Sequence, residues 1–255
     1  MRGRPIRFSL ARRTVIDLLH FAAAVPTIPV QRRMSLGPLL AARAACRERP
    51  RWTAIFTKAY ALVAREIPDL RRAYIGGLWP HLYEYPTSKA NIVIEREYKG
   101  ERCPFSILIK NPAGRSLPAL GRLLHHATIA PVGEIENFRR ALRIAALPRP
   151  LRRLLWWLGL NIGLGRGHFF GTFMVSVYSA LDAESLHPLS PLTTVLNYGV
   201  INAEGMVDVR IIYDHRVMNG ANVARALARL EEILNSVLLE ELRLLAKDQN
   251  STIQT

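Results

Sequence analysis

Cysteine is scarce in this chain: Cys46 and Cys103 are the two present. They form no C-x-x-C pair and cannot build a multi-bridge framework, which excludes a disulfide-stapled scaffold, a zinc ribbon and a thioredoxin-like redox centre. A chain of 255 residues that is 49% hydrophobic needs no such staple, because it can bury a substantial core of its own. Long apolar runs are missing too. The most hydrophobic segment, residues 154–164, is far shorter than the roughly 20 apolar residues that span a bilayer. After the arginine-rich start, Asp17, His20, Pro26 and Pro29 interrupt any signal-peptide core. These absences lead us to expect a soluble or peripheral protein of a reducing, cytoplasmic compartment.

Negative charge is also in short supply, with 20 acidic against 35 basic residues and a formal net charge of +15. Such an excess suits nucleic acid, an anionic membrane surface or a polyanionic cofactor. The basic residues are spread along the chain without zinc-finger spacing or an aromatic-basic ribonucleoprotein motif, so nucleic acid is not the expected partner. Gly163-Leu164-Gly165-Arg166-Gly167 fits neither G-x-G-x-x-G nor the Walker pattern and reads as a flexible loop. His125-His126 has no carboxylate or cysteine at ligand spacing, and His81, His168 and His187 are isolated, so no metal is expected. No internal repeat appears, and the polar tail, residues 248–255, reads as frayed.

What is present is periodicity. Ile55, Ala59, Leu62 and Val63 recur at helical spacing in residues 52–66, and Pro68 ends the pattern. Residues 90–97 and 103–110 read as a strand pair joined by the turn-forming Lys99-Gly100. Residues 116–124 and 135–147 read as helices, and 169–178, 193–200 and 206–213 as strands. Asp208 and Arg210 in the last of these suggest one solvated face. A closing helix, residues 221–246, carries Val223, Leu227, Leu230, Leu234, Val237 and Leu238 as one apolar stripe. Strands and helices intersperse without strict alternation, which predicts an α/β chain: two layers, a mixed sheet covered by helices.

Chemistry concentrates at Tyr213-Asp214-His215-Arg216-Val217-Met218-Asn219-Gly220, between the last strand and the long helix. A histidine at a strand end is rigidly held yet faces a cleft, as a general base must. An imidazole, with an ordinary pKa near 6.5, accepts a proton from a hydroxyl or thiol. The same stretch has a structural explanation, with Asn219 as N-cap and Gly220 relaxing the turn.

D-H-R-V-M-N-G resembles the H-R-x-x-D-G signature of the acyltransferase cores of 2-oxoacid dehydrogenase complexes, and more distantly the H-x-x-x-D-G of chloramphenicol acetyltransferase. Gly171-Thr172-Phe173-Met174-Val175-Ser176 is similar to the G-T-F-T-I-S strand that precedes it in those proteins. Residues 10–17 look like the opening helix with its arginine pair, 56–70 like the F-x-K-A run, and 91–121 like the passage from strand pair to helix. The resemblance covers about residues 6–245 and implies a chloramphenicol acetyltransferase-like fold, with residues 1–255 as a single acyltransferase domain and no lipoyl or subunit-binding domain.

The same resemblance implies His215 as general base, Ser176 as oxyanion donor and Asn219 at the position of the motif aspartate, with Arg216, Gly220 and Arg13 in support. It implies coenzyme A thioester as substrate, direct transfer in a ternary complex without covalently bound lipoyl, and a homotrimer in which His215 of one subunit faces Ser176 of its neighbour. Asn219 carries no charge, which weakens coupling to Arg12 or Arg13. The alternative is a catalytically silent trimeric scaffold of the same fold. Residues 147–167 depart from the family's polar helix, and their arginines and Trp156-Trp157 suggest a subunit contact, a lipophilic acyl channel or a peripheral membrane contact.

Overall fold

A computed structural model describes residues 3–178 and 182–251. Its strands are β1 (Thr27–Ser35), β2 (Arg72–Ile75), β3 (His81–Glu84), β4 (Lys89–Tyr98), β5 (Glu101–Lys110), β6 (Phe173–Val175), β7 (Thr194–Tyr198) and β8 (Met206–Asp214). Its helices are α1 (Leu10–Ala22), α2 (Gly37–Ala45), α3 (Trp52–Glu66), α4 (Leu117–Ile129), α5 (Glu136–Ala146), α6 (Arg149–Asn161), α7 (Gly163–Phe169), α8 (Gly220–Ile233) and α9 (Leu239–Ser251). The main sheet runs β1-β8-β7-β6-β4-β5, and β2 pairs separately with β3. β6 lies parallel to both β4 and β7, while the other pairings are antiparallel, so the sheet is mixed as expected.

Local chemistry explains the elements that the periodicity predicts. Lys99 and Gly100 both take positive φ, 53° and 78°, the two-residue turn that lets β4 and β5 pair tightly. Ser9 and Ser116 cap α1 and α4, accepting from the amides of Arg12 and Ala119 at 3.0 and 3.4 Å. Along β5, Cys103, Phe105, Ile107 and Ile109 alternate inward, into one core shared with α3, α4 and α8. Burying each large side chain of this kind contributes about 1.5–3 kcal/mol.

The structure corrects several expectations. The long C-terminal helix contains a π-turn, Leu234–Leu238, between α8 and α9. This wider turn shifts the phase of the stripe: Leu234, Leu238 and Leu242 are buried, whereas Val237 is 49% exposed. The strand expected over 169–178 is limited to β6, because α7 runs to Phe169 and the chain then turns at Gly171, whose φ is 87°. The glycine-rich 163–167 is α7, not a flexible loop. A Cβ at Gly163 would meet the Tyr83 ring at 2.4 Å, and one at Gly167 the Tyr85 ring at 2.5 Å, so these glycines serve close packing of α7 on β3. The helix of the C-terminal tail reaches Ser251, and the rest of the frayed-tail expectation, residues 252–255, lies outside the described residues.

The sheet has two differently covered faces. One packs on α3 and α8 through the main core. The other carries Met174, Val195 and Ile212 with Leu192, and α1, α5 and α6 enclose space in front of it.

Candidate active site

β8 delivers the histidine. The His215 amide donates to the carbonyl of Pro26 at 3.1 Å, extending the β1–β8 ladder by one position, and the exposed imidazole lies 5.6 Å from the Tyr213 ring. Its two neighbours form a clamp. The fully buried Asp214 accepts from the Arg216 amide at 3.0 Å and from its guanidinium at 2.8 Å. That guanidinium lies 4.3 Å over the Tyr74 ring of β2. Arg216 thus fixes the turn from which the imidazole projects. Gly220 opens α8 where an added Cβ would stand 3.3 Å from the Tyr213 hydroxyl.

Asn219 caps α8 through its backbone. Its carbonyl accepts from Asn222 at 3.0 Å, while its exposed side chain makes no capping bond. The expected coupling to the arginine pair is not made within the chain. Arg12 pairs with Glu101 at 2.9 Å, and Arg13 donates to the Ala145 carbonyl at 3.5 Å. The cause is topological: α1 packs beside β5, one edge strand, whereas α8 follows β8 near the other.

Ser176 follows β6 directly and is 6% exposed. Its amide donates to Leu196 at 3.2 Å, and its carbonyl accepts from the Asn197 side chain at 2.6 Å. Extending the register places Ser176, Asn197, Arg210 and Gln31 in one row across the sheet. Arg210 donates to Gln31 at 2.6 Å and to Glu184 at 2.9 Å, with Asn197 3.5 Å away. Position 210 is therefore buried, not on the solvated face that the alternation suggested, because Glu184 neutralises it and Gln31 and Asn197 satisfy its donors. Sequence reasoning missed this row. A polar residue inside an apolar strand was its available signal.

The serine lines a cavity of about 630 Å³ between the second sheet face and α1, α5, α6 and α7. Asn91 on β4, level with Met174, lines it too. Its amide nitrogen donates to the Phe170 carbonyl at 2.8 Å, and its Oδ1 is buried with no donor. Asp17 is buried in the wall, held by Arg152 at 2.7 Å and Arg153 at 3.2 Å, which ties α1 to α6. Trp156 is 8% exposed, 5.8 Å from Phe21 and 4.8 Å from Phe170, while Trp157 is 45% exposed. The paired tryptophans do not share one surface: Trp156 is a packing residue. Burial pushes the Tyr85 phenol up to about 12, and its hydroxyl donates to Gly163 at 2.9 Å beneath α7. The Lys89 ammonium, lowered by burial and then by Arg140 and Lys110, donates to His168 at 2.6 Å.

Within one chain, Ser176 and His215 do not meet. Ser176 shares its face with Met174 and the cavity. His215 has the parity of Tyr213, whose face packs on the α3 side. Ser176 is level with Arg210, five positions before His215 and two strands away. At ~3.3 Å per residue and ~4.8 Å per strand, the backbones lie roughly 19 Å apart. Among the described residues, no group of His, Cys, Asp or Glu is placed to hold a metal ion, and no helix is long and apolar enough to cross a membrane.

This architecture, a mixed sheet with a histidine turn before the last long helix and a buried serine in mid-sheet, is a chloramphenicol acetyltransferase-like fold. The probable dihydrolipoamide acetyltransferase of Listeria monocytogenes matches with a TM-score of 0.67, covering 92% of this chain and 95% of its own at 16% identity. The Azotobacter vinelandii dihydrolipoamide acetyltransferase matches with a TM-score of 0.65 over 92% of this chain and 93% of its own at 15% identity. That structure was used to investigate a serine, a histidine and an asparagine in its catalytic mechanism, the asparagine four positions after the histidine. A chloramphenicol acetyltransferase covers 89% of this chain and 96% of its own, with a TM-score of 0.50 and 16% identity. No protein-family model and no curated protein sequence matches the chain.

Proposed function

We propose that the protein is an acyltransferase that moves an acyl group between coenzyme A, or another thiol carrier, and a small-molecule acceptor, in a site completed between two subunits of a homotrimer. The observation that carries this reading is the division of the site. The serine opens into a cavity on one sheet face, and the histidine is exposed at the far end of the other, so each chain offers one half.

In the reaction, the His215 imidazole takes the proton of an acceptor hydroxyl or thiol as that atom attacks the thioester carbonyl. The carbonyl oxygen becomes an oxyanion, to which the Ser176 hydroxyl of the neighbouring subunit donates a hydrogen bond. Collapse of the tetrahedral intermediate breaks the carbon–sulfur bond, and the imidazolium returns the proton to the departing thiolate. Asp214 and Arg216 hold the turn while the imidazole changes charge. Asn219 stands at the same spacing from the histidine as the asparagine studied in the Azotobacter vinelandii enzyme, which supports a neutral amide at this position of a working site. The net charge of +15 favours an anionic carrier such as coenzyme A.

Incubation with a panel of acyl-coenzyme A thioesters and acceptors, following released thiol, tests the reading. Turnover that is lost in His215→Ala supports it. Release no faster than in His215→Ala overturns it and leaves a catalytically silent scaffold of the same fold.

A further inference from the structure

We infer that the cavity beside Ser176 is a binding site for the hydrocarbon tail of an anionic amphiphile: a medium- or long-chain acyl group rather than acetyl. The acyltransferase reading gives this site its reaction, but tail binding does not depend on it.

Size is the first argument. About 630 Å³ is the volume of a site that encloses a whole drug-sized ligand, and an acetyl group would leave it nearly empty. The walls are the second. Val93, Leu108 and Met174 of the sheet face Leu18 of α1, Ile144 of α5 and Leu155 of α6, a lining that rewards hydrocarbon at every side.

Charge in the wall is the third argument. Asp17 is neutralised by Arg152 and Arg153, so it presents no free carboxylate to a ligand. Arg140, also in the lining, lies 5.2 Å over the Phe169 ring and, among the described residues, pairs with no carboxylate. Residues 137–181 contain seven arginines and no aspartate or glutamate; Arg139 pairs with Glu136 and Arg152 and Arg153 share Asp17, which leaves a net positive charge. An apolar chamber walled in part by a net-positive segment matches a ligand with an apolar body and an anionic head.

Helix α6 carries the same apolar character outward. It buries Arg152, Trp156 and Leu160 but leaves Leu154, Leu155, Trp157 and Leu158 exposed, more apolar surface than a helix on a soluble face presents. Leu155 and Leu158 also line the cavity, so the apolar lining continues onto the surface. A hydrocarbon tail can enter over such a rim without crossing a polar barrier.

Calorimetric titration with acetyl-, butyryl-, octanoyl-, lauroyl- and palmitoyl-coenzyme A, and with the matching free fatty acids below their micellar concentrations, tests the inference. Affinity should rise by up to about fourfold per added methylene until the chamber is full. His215→Ala, which leaves the lining intact, should show the same slope. Equal slopes for the acids and thioesters would mean the tail alone is read. A slope confined to the thioesters would mean that the head is read as well; both support the site. Ala141→Trp and Val93→Trp narrow the chamber from the helix and sheet sides, and should shorten the longest chain bound while sparing butyryl-coenzyme A.

Affinity that does not change with chain length in the wild-type protein overturns the inference, whatever the variants do. Chain-dependent binding without acyl transfer would remove the proposed reaction and keep the site. Transfer of acetyl groups with flat binding would do the reverse.

Discussion

Ser176 is held by its backbone, not its hydroxyl: Leu196 and Asn197 take its amide and carbonyl, and among the described residues the side-chain oxygen makes no hydrogen bond. A hydroxyl positioned in this way can turn toward a developing oxyanion. Ser176→Ala should therefore lower turnover on the order of 10²–10³-fold, with little change in the KM for the acyl thioester. Steady-state kinetics checks this, and an unchanged kcat would remove the oxyanion role. The cysteines give a second prediction at this scale. Burial, then the Glu101 carboxylate, pushes the Cys103 thiol up to about 11, and burial raises Cys46. At pH 8 Cys103 of the native protein should be alkylated on the order of a hundredfold more slowly than an ordinary thiol, with the rate rising as pH increases. Mass spectrometry of native and denatured samples reads the difference, and fast native labelling would contradict it. At this scale the histidine and serine were legible because each sits in a contiguous motif. Asn197 and Arg210 were not, since their meaning depends on strands β6, β7 and β8 lying side by side, which no local pattern states.

Elements with one buried face were legible: α3, β4, β5 and α5 fall within a residue or two of the periodicity, because hydrophobic spacing alone decides them. Those set by contacts distant in sequence were not. α7 is helical in spite of three glycines because Gly163 and Gly167 let it lie against Tyr83 and Tyr85. Gly163→Ala and Gly167→Ala should each destabilise the protein by about 1–3 kcal/mol through overpacking, although alanine is the better helix former. Urea unfolding gives the sign: stabilisation would show that propensity wins and that the packing account is wrong. α6 docks through Asp17, and its arginines would be left buried and uncompensated in Asp17→Ala. That variant should lose about 3–5 kcal/mol, measurable by the same method.

For the molecule as a whole, the sheet acts as a divider. One face is filled by the α3 and α8 core, the other fronts the cavity, and the two proposed catalytic groups lie on opposite sides. A fold class of α/β with a mixed sheet followed from the order of elements. The sealing of the second face by α1, α5 and α6 did not, because the Asp17–Arg152 pair joins residues that are far apart in the sequence. A division of this kind predicts that activity belongs to the assembly, so sedimentation should find a trimer wherever turnover is measured, and fully active monomers would contradict the arrangement.

The most direct measurement mixes two inactive proteins. Ser176→Ala retains the histidine and His215→Ala retains the serine, so equal amounts co-refolded into mixed trimers should restore about a quarter of the wild-type activity, since that share of interfaces joins two intact halves. Activity that stays at the level of the separate variants, in mixtures shown to contain hetero-trimers, would mean that the two groups do not share a site across subunits.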